Sequence, residues 1–427
     1  MSGLSGPTAL DEDLSPKLTP RQALVESSRC LYCYDAPCVR ACPTGIDIPG
    51  FIRRIASDRP EGAAVTILSE NIMGGTCARV CPTEVLCEQV CVLNGAEQRP
   101  IAIGRLQRFA TDTLMEKNAA HPFTRAESSG KRVAVIGAGP AGLACAHRLA
   151  MLGHAVTIYE AKDKPAGLNE YGIAAYKMVD EWGAKEVGFI LGIGAITIEH
   201  SKVLGRDVQL ADLAKQYDAV FIGIGLSGTR ALGIPGEEMA SDAVELIEAL
   251  RQSVPGKRPA VGKKVVVIGG GNTAIDAAVQ SKLLGAEHVV MAYRRGTGQM
   301  GATGWEQQIA RESGVSIQPW LAPKRVTKEG VEFARTALED GKLVETDETV
   351  LVEADMVLKA VGQLLREEDL AGVTLTGGKI AVDPGYWTGV PKIYAGGDCV
   401  KTGEDLTVQA VQDGKMAAIA IDRMLRN

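Results

Sequence analysis

The chain has 427 residues, of which 46% are hydrophobic and only 4% aromatic, and it contains 49 glycines. This length allows two or three domains, and many glycines with few aromatics favour α/β domains with tight strand-to-helix turns over a β-sandwich. The net charge of −6 argues against broad binding of nucleic acid or of an anionic membrane. No apolar run reaches the ~18 residues of a membrane span.

The first residues, "MSGLSGPTALDEDLSPKL", are polar and acidic. They lack the apolar core of a secretory signal, so we expect a cytoplasmic protein whose thiols stay reduced. The ten cysteines are therefore interpreted as metal ligands or free thiols rather than as disulfides.

Eight of the ten cysteines lie between Cys30 and Cys91, in a segment that ends near "HPFTRAESSGKR". Within it, "GFIRRIASD" and "PEGAAVTILSE" have the apolar spacing of helices. The sequence therefore predicts an N-terminal helical metal-binding domain over residues 1–127.

The cysteines fall into two sets of four, Cys30-x2-Cys33-x4-Cys38-x3-Cys42-Pro43 and Cys77-x3-Cys81-Pro82-x4-Cys87-x3-Cys91. The first resembles the ferredoxin run C-x2-C-x2-C-x3-C-P with a longer middle gap, and in that run the fourth cysteine ligates the other cluster. We expect two iron–sulfur clusters with crossed ligation.

Zinc is the alternative metal, because two four-cysteine zinc sites would use the same thiolates. Zinc ribbons favour two C-x2-C pairs, and only Cys30 and Cys33 have that spacing. A simple count makes Cys77 the eighth ligand.

A βαβ unit follows the helical domain. "RVAVIG" and "HAVTIYEA" are predicted buried strands, and Gly137, Gly139 and Gly142 form G-x-G-x-x-G between them. The glycines allow a tight turn, close approach to a pyrophosphate and close helix packing. Glu160 at the end of the second strand suits free ribose hydroxyls, so this site is predicted to take FAD or NAD. The alternative is a merely structural glycine turn.

A second βαβ unit begins at "KKVVVIGGGNTAIDAAV", where Gly269, Gly271 and Ala274 form G-x-G-x-x-A. Its second strand ends in Arg294 and Arg295, whose guanidinium groups suit a 2′-phosphate. NADPH is thus favoured, the alternative being two solvated arginines. A predicted β-meander follows and ends in a buried strand at Gly362, before a final strand, turn and helix.

Two dinucleotide sites in one chain predict hydride transfer from a nicotinamide to a flavin. That reaction needs alignment more than acid–base chemistry, because the cofactors carry the reactivity. No catalytic side chain is therefore predicted.

The order of cysteine module, two fingerprints and C-terminal "AGGD" resembles the family of the glutamate synthase small subunit and the N-terminal half of dihydropyrimidine dehydrogenase. "CLYCYDAPCVRACPTGIDIPGFI", "CARVCPTEVLCEQVC", "PIAIGRLQRF" and "GLNEYGIAAYK" most resemble the flavin- and cluster-bearing subunits of bacterial dihydropyrimidine dehydrogenases. The resemblance implies a helical two-[4Fe–4S] domain, then two nested Rossmann-like domains. These would be an FAD domain (128–234 and 361–427) and an NAD(P)H domain (235–360).

The resemblance also implies site residues. The predicted FAD contacts are Gly137, Gly139, Pro140, Ala141, Gly142, Glu160, Gly167, Leu168, Lys177, Gly397, Asp398, Thr407 and Val408. The predicted nicotinamide dinucleotide contacts are Gly270, Gly271, Asn272, Thr273, Arg294 and Arg295, and Gly362 completes the cofactor-binding set.

For the clusters, the family pattern assigns one to Cys30, Cys33, Cys38 and Cys91, and the other to Cys42, Cys81, Cys87 and Gln107. The glutamine comes wholly from the resemblance, since a carbonyl oxygen is a hard ligand at a soft site. Cys77 then becomes a nearby thiol.

Three residues depart from the family pattern. Ala166 replaces the first glycine of a Gly-Gly pair, which can alter the flavin loop. Gly301 stands where NADPH-specific relatives often carry a basic residue, which leaves NADH open. Cys399 stands where valine is common and is interpreted as a small buried hydrophobe.

The function implied is electron input. NAD(P)H would reduce FAD, and two [4Fe–4S] clusters would pass electrons to an FMN-containing partner that reduces uracil or thymine to 5,6-dihydropyrimidines. With 427 residues there is no room for a (β/α)8 barrel of ~250 residues, so a hetero-oligomer is expected, with no nucleic-acid or membrane partner.

The alternatives are a glutamate synthase small subunit or related reductase, an autonomous flavin disulfide reductase, and a non-enzymatic metal scaffold. A disulfide reductase would have a C-x4-C pair soon after Glu160, and none is present.

Overall fold

The computed structural model describes residues 6–96, 98–117, 120–254, 256–366, 370 and 372–427. The chain forms two compact units. The larger unit comprises Ser15–Asn169, Asp180–Ser227 and Leu365–Asn427. The smaller unit comprises the described residues up to Leu14, together with Glu170–Val179 and Gly228–Leu364.

Helices are found in both units. In chain order the α-helices are α1 (Pro20–Ser27), α2 (Pro37–Ala41), α3 (Ile48–Ala56), α4 (Pro60–Glu70), α5 (Gly74–Val80), α6 (Val92–Gly95), α7 (Ile103–Glu116), α8 (Pro140–Met151), α9 (Leu168–Tyr171), α10 (Trp182–Leu191), α11 (Leu210–Gln216), α12 (Ala243–Arg251), α13 (Asn272–Leu283), α14 (Gly304–Glu312) and α15 (Thr407–Arg426). Short 3₁₀ turns are Thr83–Val85, Ala175–Lys177, Glu237–Met239 and Thr297–Gln299.

The strands begin after α7. In chain order they are β1 (Arg132–Ile136), β2 (Ala155–Tyr159), β3 (Ile196–Glu199), β4 (Ala219–Ile222), β5 (Gly228–Thr229), β6 (Ser241–Asp242), β7 (Lys264–Gly269), β8 (His288–Tyr293), β9 (Ser316–Pro319), β10 (Leu321–Val326), β11 (Gly330–Glu339), β12 (Lys342–Glu353), β13 (Met356–Ala360), β14 (Gln363–Leu364), β15 (Leu375–Thr376), β16 (Lys379–Ile380) and β17 (Ile393–Ala395).

The first part of the larger unit is helical. The segments predicted to be helical are α3 and α4. α3 begins where the Asp47 side chain accepts the backbone N–H of Gly50 at 3.0 Å, which satisfies one of the free amides of its first turn. Its apolar face is buried with α4 and α7 in one core.

The second part of the larger unit is a parallel five-stranded sheet in the order β17-β4-β1-β2-β3. Both β1 and β4 are buried almost throughout, as continuous apolar runs in a parallel sheet should be. Helices α8 and α15 pack on this sheet and contribute to the same core as the cysteine module.

The smaller unit contains a second parallel sheet, in the order β6-β13-β7-β8-β9. The predicted meander contains β11 and β12, which form an antiparallel sheet with the preceding β10, and the buried strand that follows is β13, which pairs with β7. Helices α12, α13 and α14 share a core with the parallel sheet.

The predicted domains and the observed units are different divisions of the chain. The predicted segment 235–360 lies inside the smaller unit, whereas the predicted helical domain contributes residues 6–14 to the smaller unit and 15–127 to the larger. Residues 1–5 of that domain lie outside the described residues. The boundaries of the three predicted domains therefore stay a prediction.

Within the part of the chain that the structure describes, no helix is both long enough and apolar enough to span a membrane.

The packing of α15 on α8 predicts that Gly414 cannot be replaced by a larger residue without a loss of stability. A Cβ atom on Gly414 would lie 2.0 Å from the backbone oxygen of Ala141, so Gly414→Ala must push the helices apart. We expect a loss of ~1–3 kcal/mol in the free energy of unfolding, measured from the urea midpoint. Gly188→Ala in α10 is the matched control, because its Cβ would meet no atom within 4 Å. The control should gain ~0.5–1 kcal/mol, and equal behaviour of both variants would contradict the prediction.

Candidate functional site

The first glycine fingerprint lies in the larger unit between β1 and α8. Gly137 has φ +96°, and a Cβ there would lie 2.5 Å from the backbone oxygen of Gly223. A Cβ on Gly142 would lie 1.9 Å from the oxygen of Gly137. These two glycines therefore allow the turn and the close packing of the helix on the strand.

Gly139 is different, because no crowding within the protein requires a glycine there. The nearest atom to a Cβ on Gly139 would be the Cα of Gly167, 4.0 Å away, and its φ of −77° suits any residue. The free space lies at the N-terminus of α8, whose first two residues are Pro140 and Ala141. A helix N-terminus with room for close approach fits the pyrophosphate of a dinucleotide.

Glu160 is fixed beside this turn. One carboxylate oxygen accepts the N–H of Ala138 at 2.7 Å, and the other accepts the N–H of Lys162 at 2.8 Å. The side chain is buried at the end of β2, so the structure brings the predicted ribose-binding carboxylate and the predicted phosphate loop together.

The loop that contains Gly167 lies against the same fingerprint. The N–H of Ala166 donates to the oxygen of Ala138 at 2.8 Å, and a Cβ on Gly167 would lie 3.0 Å from the Cα of Gly139. Ala166 has φ +88°, a backbone conformation that a glycine at this position would adopt without strain. Leu168 follows at the start of α9.

The "AGGD" turn completes this group. A Cβ on Gly397 would lie 2.8 Å from the Cβ of Ala141, so the turn lies against the start of α8. Asp398 follows, and burial raises the pKa of its carboxyl to about 6, with Asp405 adding to the effect. Thr407 begins α15 and donates its hydroxyl to the Asn169 side chain at 2.9 Å, and Val408 beside it is buried.

The second fingerprint lies in the smaller unit between β7 and α13. Gly269 has φ +155° and a Cβ there would lie 2.4 Å from the oxygen of Ala360. A Cβ on Gly270 would meet the Tyr293 ring at 2.5 Å. At both positions, neighbouring atoms of the protein leave no room for a side chain.

Gly271 has open space instead. A Cβ on it would meet no atom within 4 Å, and its φ is −98°. Next to it Asn272 and Thr273 begin α13, and the buried side-chain oxygen of Asn272 has no hydrogen-bond partner among the described residues. An open glycine and an unpaired acceptor at a helix N-terminus fit a bound dinucleotide.

The two arginines follow β8 at the same edge of the sheet. Arg294 is exposed and Arg295 is half-buried, and neither forms an ion pair with any residue that the structure describes. Gly362 follows β13, where its oxygen accepts the N–H of Arg230 at 3.0 Å. Gly301 lies near Gly271, because its Cβ would be 3.9 Å from the Gly271 Cα.

Lys177 is placed in the smaller unit, where its contacts are carboxylates. Its ammonium lies 2.7 Å from Asp276 of α13 and 2.6 Å from Glu306 of α14. These two carboxylates outweigh the effect of burial and raise the pKa of Lys177. Tyr176 beside it donates its hydroxyl to Asp276 at 2.9 Å. The assignment of Lys177 to the flavin stays a prediction.

The cysteines separate into the two predicted groups. One cavity of the larger unit is lined by four thiols together with apolar side chains, the thiols being those of Cys30, Cys33, Cys38 and Cys91. Burial, with a smaller effect of the nearby Cys30 and Cys91, raises the pKa of the Cys38 thiol to about 11. Such a set would release protons on binding iron.

The second group is more deeply buried. The pKa of the Cys81 thiol is raised by a hydrogen bond with the Cys77 thiol, by burial, and by the nearby Cys87 and Cys42. Burial likewise raises the pKa of Cys87. Cys42 is thus placed with the second set, as crossed ligation requires, and Cys91 with the first.

In the described ranges, no set of three or more His, Cys, Asp or Glu side chains is arranged to hold a single metal ion. Four thiols around one cavity fit the larger cubane of a [4Fe–4S] cluster.

Gln107 lies in α7 and is buried. Its side-chain N–H donates to the oxygen of Gly74 at 2.7 Å, so its carbonyl oxygen is the end left for another contact. Gly74 begins α5, the helix that carries Cys77 and precedes Cys81. Both candidates for the eighth ligand position are therefore tied to the same helix.

A buried carboxylate that the sequence did not indicate also holds α5. Glu186 of α10 is fully buried and accepts the N–H groups of Gly75 and Thr76 at 2.8 and 3.0 Å, as well as the Thr76 hydroxyl. Burial raises the pKa of this carboxyl to about 7. An acceptor on the free amides of a first turn stabilises the helix, and no local pattern in the sequence marks Glu186 for this contact.

Comparison with known protein families matches both parts of the chain. Residues 9–119 match the family described as "Dihydropyrimidine dehydrogenase domain II, 4Fe-4S cluster". Residues 131–414 match the family described as "Pyridine nucleotide-disulphide oxidoreductase".

Curated relatives match over the whole length. The NAD-dependent dihydropyrimidine dehydrogenase subunit PreT of Salmonella typhimurium is 36% identical over 422 residues, which cover 97% of each chain. PreT of Escherichia coli K12 is 36% identical over 419 residues, with the same coverage. This chain belongs to the PreT family. It is an NAD(P)-dependent oxidoreductase with an iron–sulfur domain, which confirms the predicted family.

Solved structures agree with the fold of this PreT-family chain. FprA of Mycobacterium tuberculosis in complex with NADPH is 20% identical and covers 70% of this chain and 85% of its own, with a TM-score of 0.59. A 2-naphthoyl-CoA reductase covers 86% of this chain and 52% of its own, with a TM-score of 0.54. The predicted fold class, a helical domain followed by Rossmann-type domains, is confirmed.

The buried carboxyl of Glu186 is predicted to make the stability of the folded protein depend on pH. Its folded pKa of about 7 lies above the unfolded value of ~4.3, so the folded state holds a proton that the unfolded state has lost. The stability contribution is complete below pH ~4.3 and is lost as the pH rises through about 7. Glu186→Gln should therefore flatten the fall in urea midpoint between pH 5 and 8. Glu181→Gln, on the exposed residue before α10, should keep the wild-type slope, and an unchanged slope in Glu186→Gln would contradict the prediction.

Proposed function

We propose that this chain is the electron-input subunit of a dihydropyrimidine dehydrogenase. The observation that carries the proposal is the presence in one chain of two nucleotide loops, open at Gly139 and Gly271, and of two groups of cysteine thiols. The relatives are named as subunits of an NAD-dependent dihydropyrimidine dehydrogenase, which supports the substrate class.

FAD when bound accepts hydride from NAD(P)H and releases electrons singly, and the clusters carry single electrons. In the overall reaction NAD(P)H, a proton and uracil or thymine give NAD(P)+ and the 5,6-dihydropyrimidine. The larger unit would hold FAD through the loop of Gly137 to Gly142, Glu160, and the turn of Gly397 and Asp398. The smaller unit would hold the nicotinamide dinucleotide through Gly270 to Thr273.

The proposed pyrimidine site lies on an FMN-containing partner subunit. Apolar side chains remain exposed next to the first cysteine cavity, where Leu31 and Val92 line its wall with 60% and 45% of their surface accessible, and Tyr34 nearby is fully exposed. Exposed apolar side chains that lie together can form part of a protein–protein contact. We propose a hetero-oligomer in the cytoplasm that delivers electrons to the partner near this cavity.

The proposal is tested by co-expressing the chain with the FMN-containing candidate subunit and assaying uracil-dependent NAD(P)H oxidation. We expect activity from the complex, a diaphorase activity without uracil from this chain alone, and flavin plus about eight irons per chain, as two [4Fe–4S] clusters require. Recovery of a glutamine amidotransferase partner would favour the glutamate synthase alternative. A colourless protein without flavin would reject every oxidoreductase assignment.

The choice between NADPH and NADH is predicted to depend on Arg294 and Arg295. Their guanidinium groups have no carboxylate partner among the residues described and could pair with a 2′-phosphate, whereas the relatives are named NAD-dependent. The double change to alanine should raise KM for NADPH by about 10- to 100-fold, the effect of lost charged hydrogen bonds, and leave KM for NADH within about threefold. KM is measured by ferricyanide reduction, with Arg335→Ala as the control. Equal losses with both nucleotides would contradict the prediction.

A separate prediction concerns the identity of the eighth cluster ligand. Gln107 is proposed as the ligand, so Cys77→Ser should retain both clusters, and Gln107→Ala should disturb the cluster at Cys42, Cys81 and Cys87. Iron and sulfide analysis with EPR of the reduced protein measures both outcomes. Loss of a cluster in Cys77→Ser, with both retained in Gln107→Ala, would show that four cysteines hold it.

A further inference from the structure

Helix α15 carries a buried acidic residue that organises the "AGGD" turn. The Asp413 carboxylate accepts the N–H of Gly397 at 3.0 Å, the Tyr386 hydroxyl at 3.1 Å and the Gln409 side chain at 2.8 Å, and it also accepts the Thr402 hydroxyl. Asp413 is 1% exposed. The turn proposed to contact FAD is therefore fixed to α15.

Two residues further along α15, Lys415 contacts the cysteine module. The Lys415 ammonium donates to the backbone oxygen of Thr44 at 3.0 Å and pairs with Glu70 at 2.9 Å. Lys415 and Thr44 are buried, with 8% and 3% of their surface exposed. A buried ammonium is costly unless it is paired, so this contact fixes the loop at Thr44 to the helix.

Thr44 in turn contacts a proposed cluster ligand. Its hydroxyl oxygen lies 3.3 Å from the sulfur of Cys42. When Cys42 is a thiolate bound to iron, its sulfur can only accept, so the hydroxyl must donate. Hydrogen bonds to cluster sulfurs and nearby charge are among the determinants of the reduction potential.

We propose that Thr44 and Lys415 are positioning residues for the cluster that Cys42 ligates. The Thr44 hydroxyl donates to the Cys42 sulfur, and Lys415, which is ion-paired with Glu70, holds Thr44 in the required place. The donated hydrogen bond stabilises the extra negative charge of the cluster that has gained one electron, so it raises the cluster's potential. This inference deepens the proposed function and rests on it for the identity of the cluster.

Three neighbouring residues in one turn of α15 contact different parts of the larger unit. Asp413 fixes the "AGGD" turn, Gly414 lets the helix lie against Ala141 of α8, and Lys415 fixes the cysteine loop. Three successive residues thus link the proposed FAD site to the loop of Cys42, within one compact unit.

The test is an EPR-monitored redox titration of the purified full chain with dithionite. Thr44→Val removes the hydroxyl and nearly keeps the shape, and should lower the midpoint potential of one cluster by about a tenfold change in the one-electron equilibrium, or ~59 mV. Thr44→Ser should restore the wild-type value. Lys415→Met should lower the same potential. Lys392→Met is the control, because Lys392 also donates to backbone oxygens, those of Ala214 and Tyr217, but in contact with no cysteine loop.

Unchanged potentials in Thr44→Val and Lys415→Met, with iron and flavin content at the wild-type level, would overturn the proposal. Loss of iron in Thr44→Val, with iron retained in Thr44→Ser, would support the proposal, because serine keeps the hydroxyl that valine lacks. If Lys415→Met fails to fold, the Thr44 pair alone decides.

The titration uses neither nicotinamide nor pyrimidine. A chain that serves another electron acceptor would therefore still show the shift. The absence of iron from the wild-type protein would reject both the proposed function and this inference, whereas unchanged potentials in iron-loaded variants would reject this inference alone.

Discussion

The structure of the larger unit depends on the close contact between α15 and α8 at Gly414. Only a glycine lets the α15 backbone come this near to the oxygen of Ala141, and Ala141 belongs to the first turn of the helix that follows the glycine fingerprint. The contact fixes α15 relative to the phosphate loop. From that fixed helix, Asp413 reaches the "AGGD" turn and Lys415 reaches Thr44, so both proposed cofactor sites have a common support.

The two cysteine groups differ in burial, and the difference suits a directed flow of electrons. Cys81 and Cys87 have thiols whose pKa values burial helps to raise well above the ordinary value, so they become thiolates only when a metal replaces the proton. The group around Cys38 lies beside the exposed Leu31 instead. With the proposed ligand assignments, the inner cluster would lie close to the α15 support and the outer cluster close to exposed apolar side chains, which matches the proposed order of transfer from flavin to partner.

The sequence predicted those parts of the fold that local patterns specify. Glycines at required turns, buried strands such as β1, helices such as α4 and the crossed placement of Cys42 can all be inferred from spacing. Contacts between distant residues cannot be inferred in this way. Lys415 and Thr44 are 371 residues apart, Glu186 and Gly75 are 111 apart, and one buried lysine or glutamate looks like any other until packing selects its partner.

Ala166 shows how packing can also overrule a local preference. A non-glycine residue at φ +88° is strained by roughly 1–2 kcal/mol, and no turn propensity of alanine would predict it. The residue is fully buried, and its N–H is held by the oxygen of Ala138, so releasing the strain would cost a buried hydrogen bond. Since that bond alone is worth about as much as the strain, the loop keeps the glycine-like path over the fingerprint. Alanine thus gives this loop a strain energy that glycine at the same position would not have.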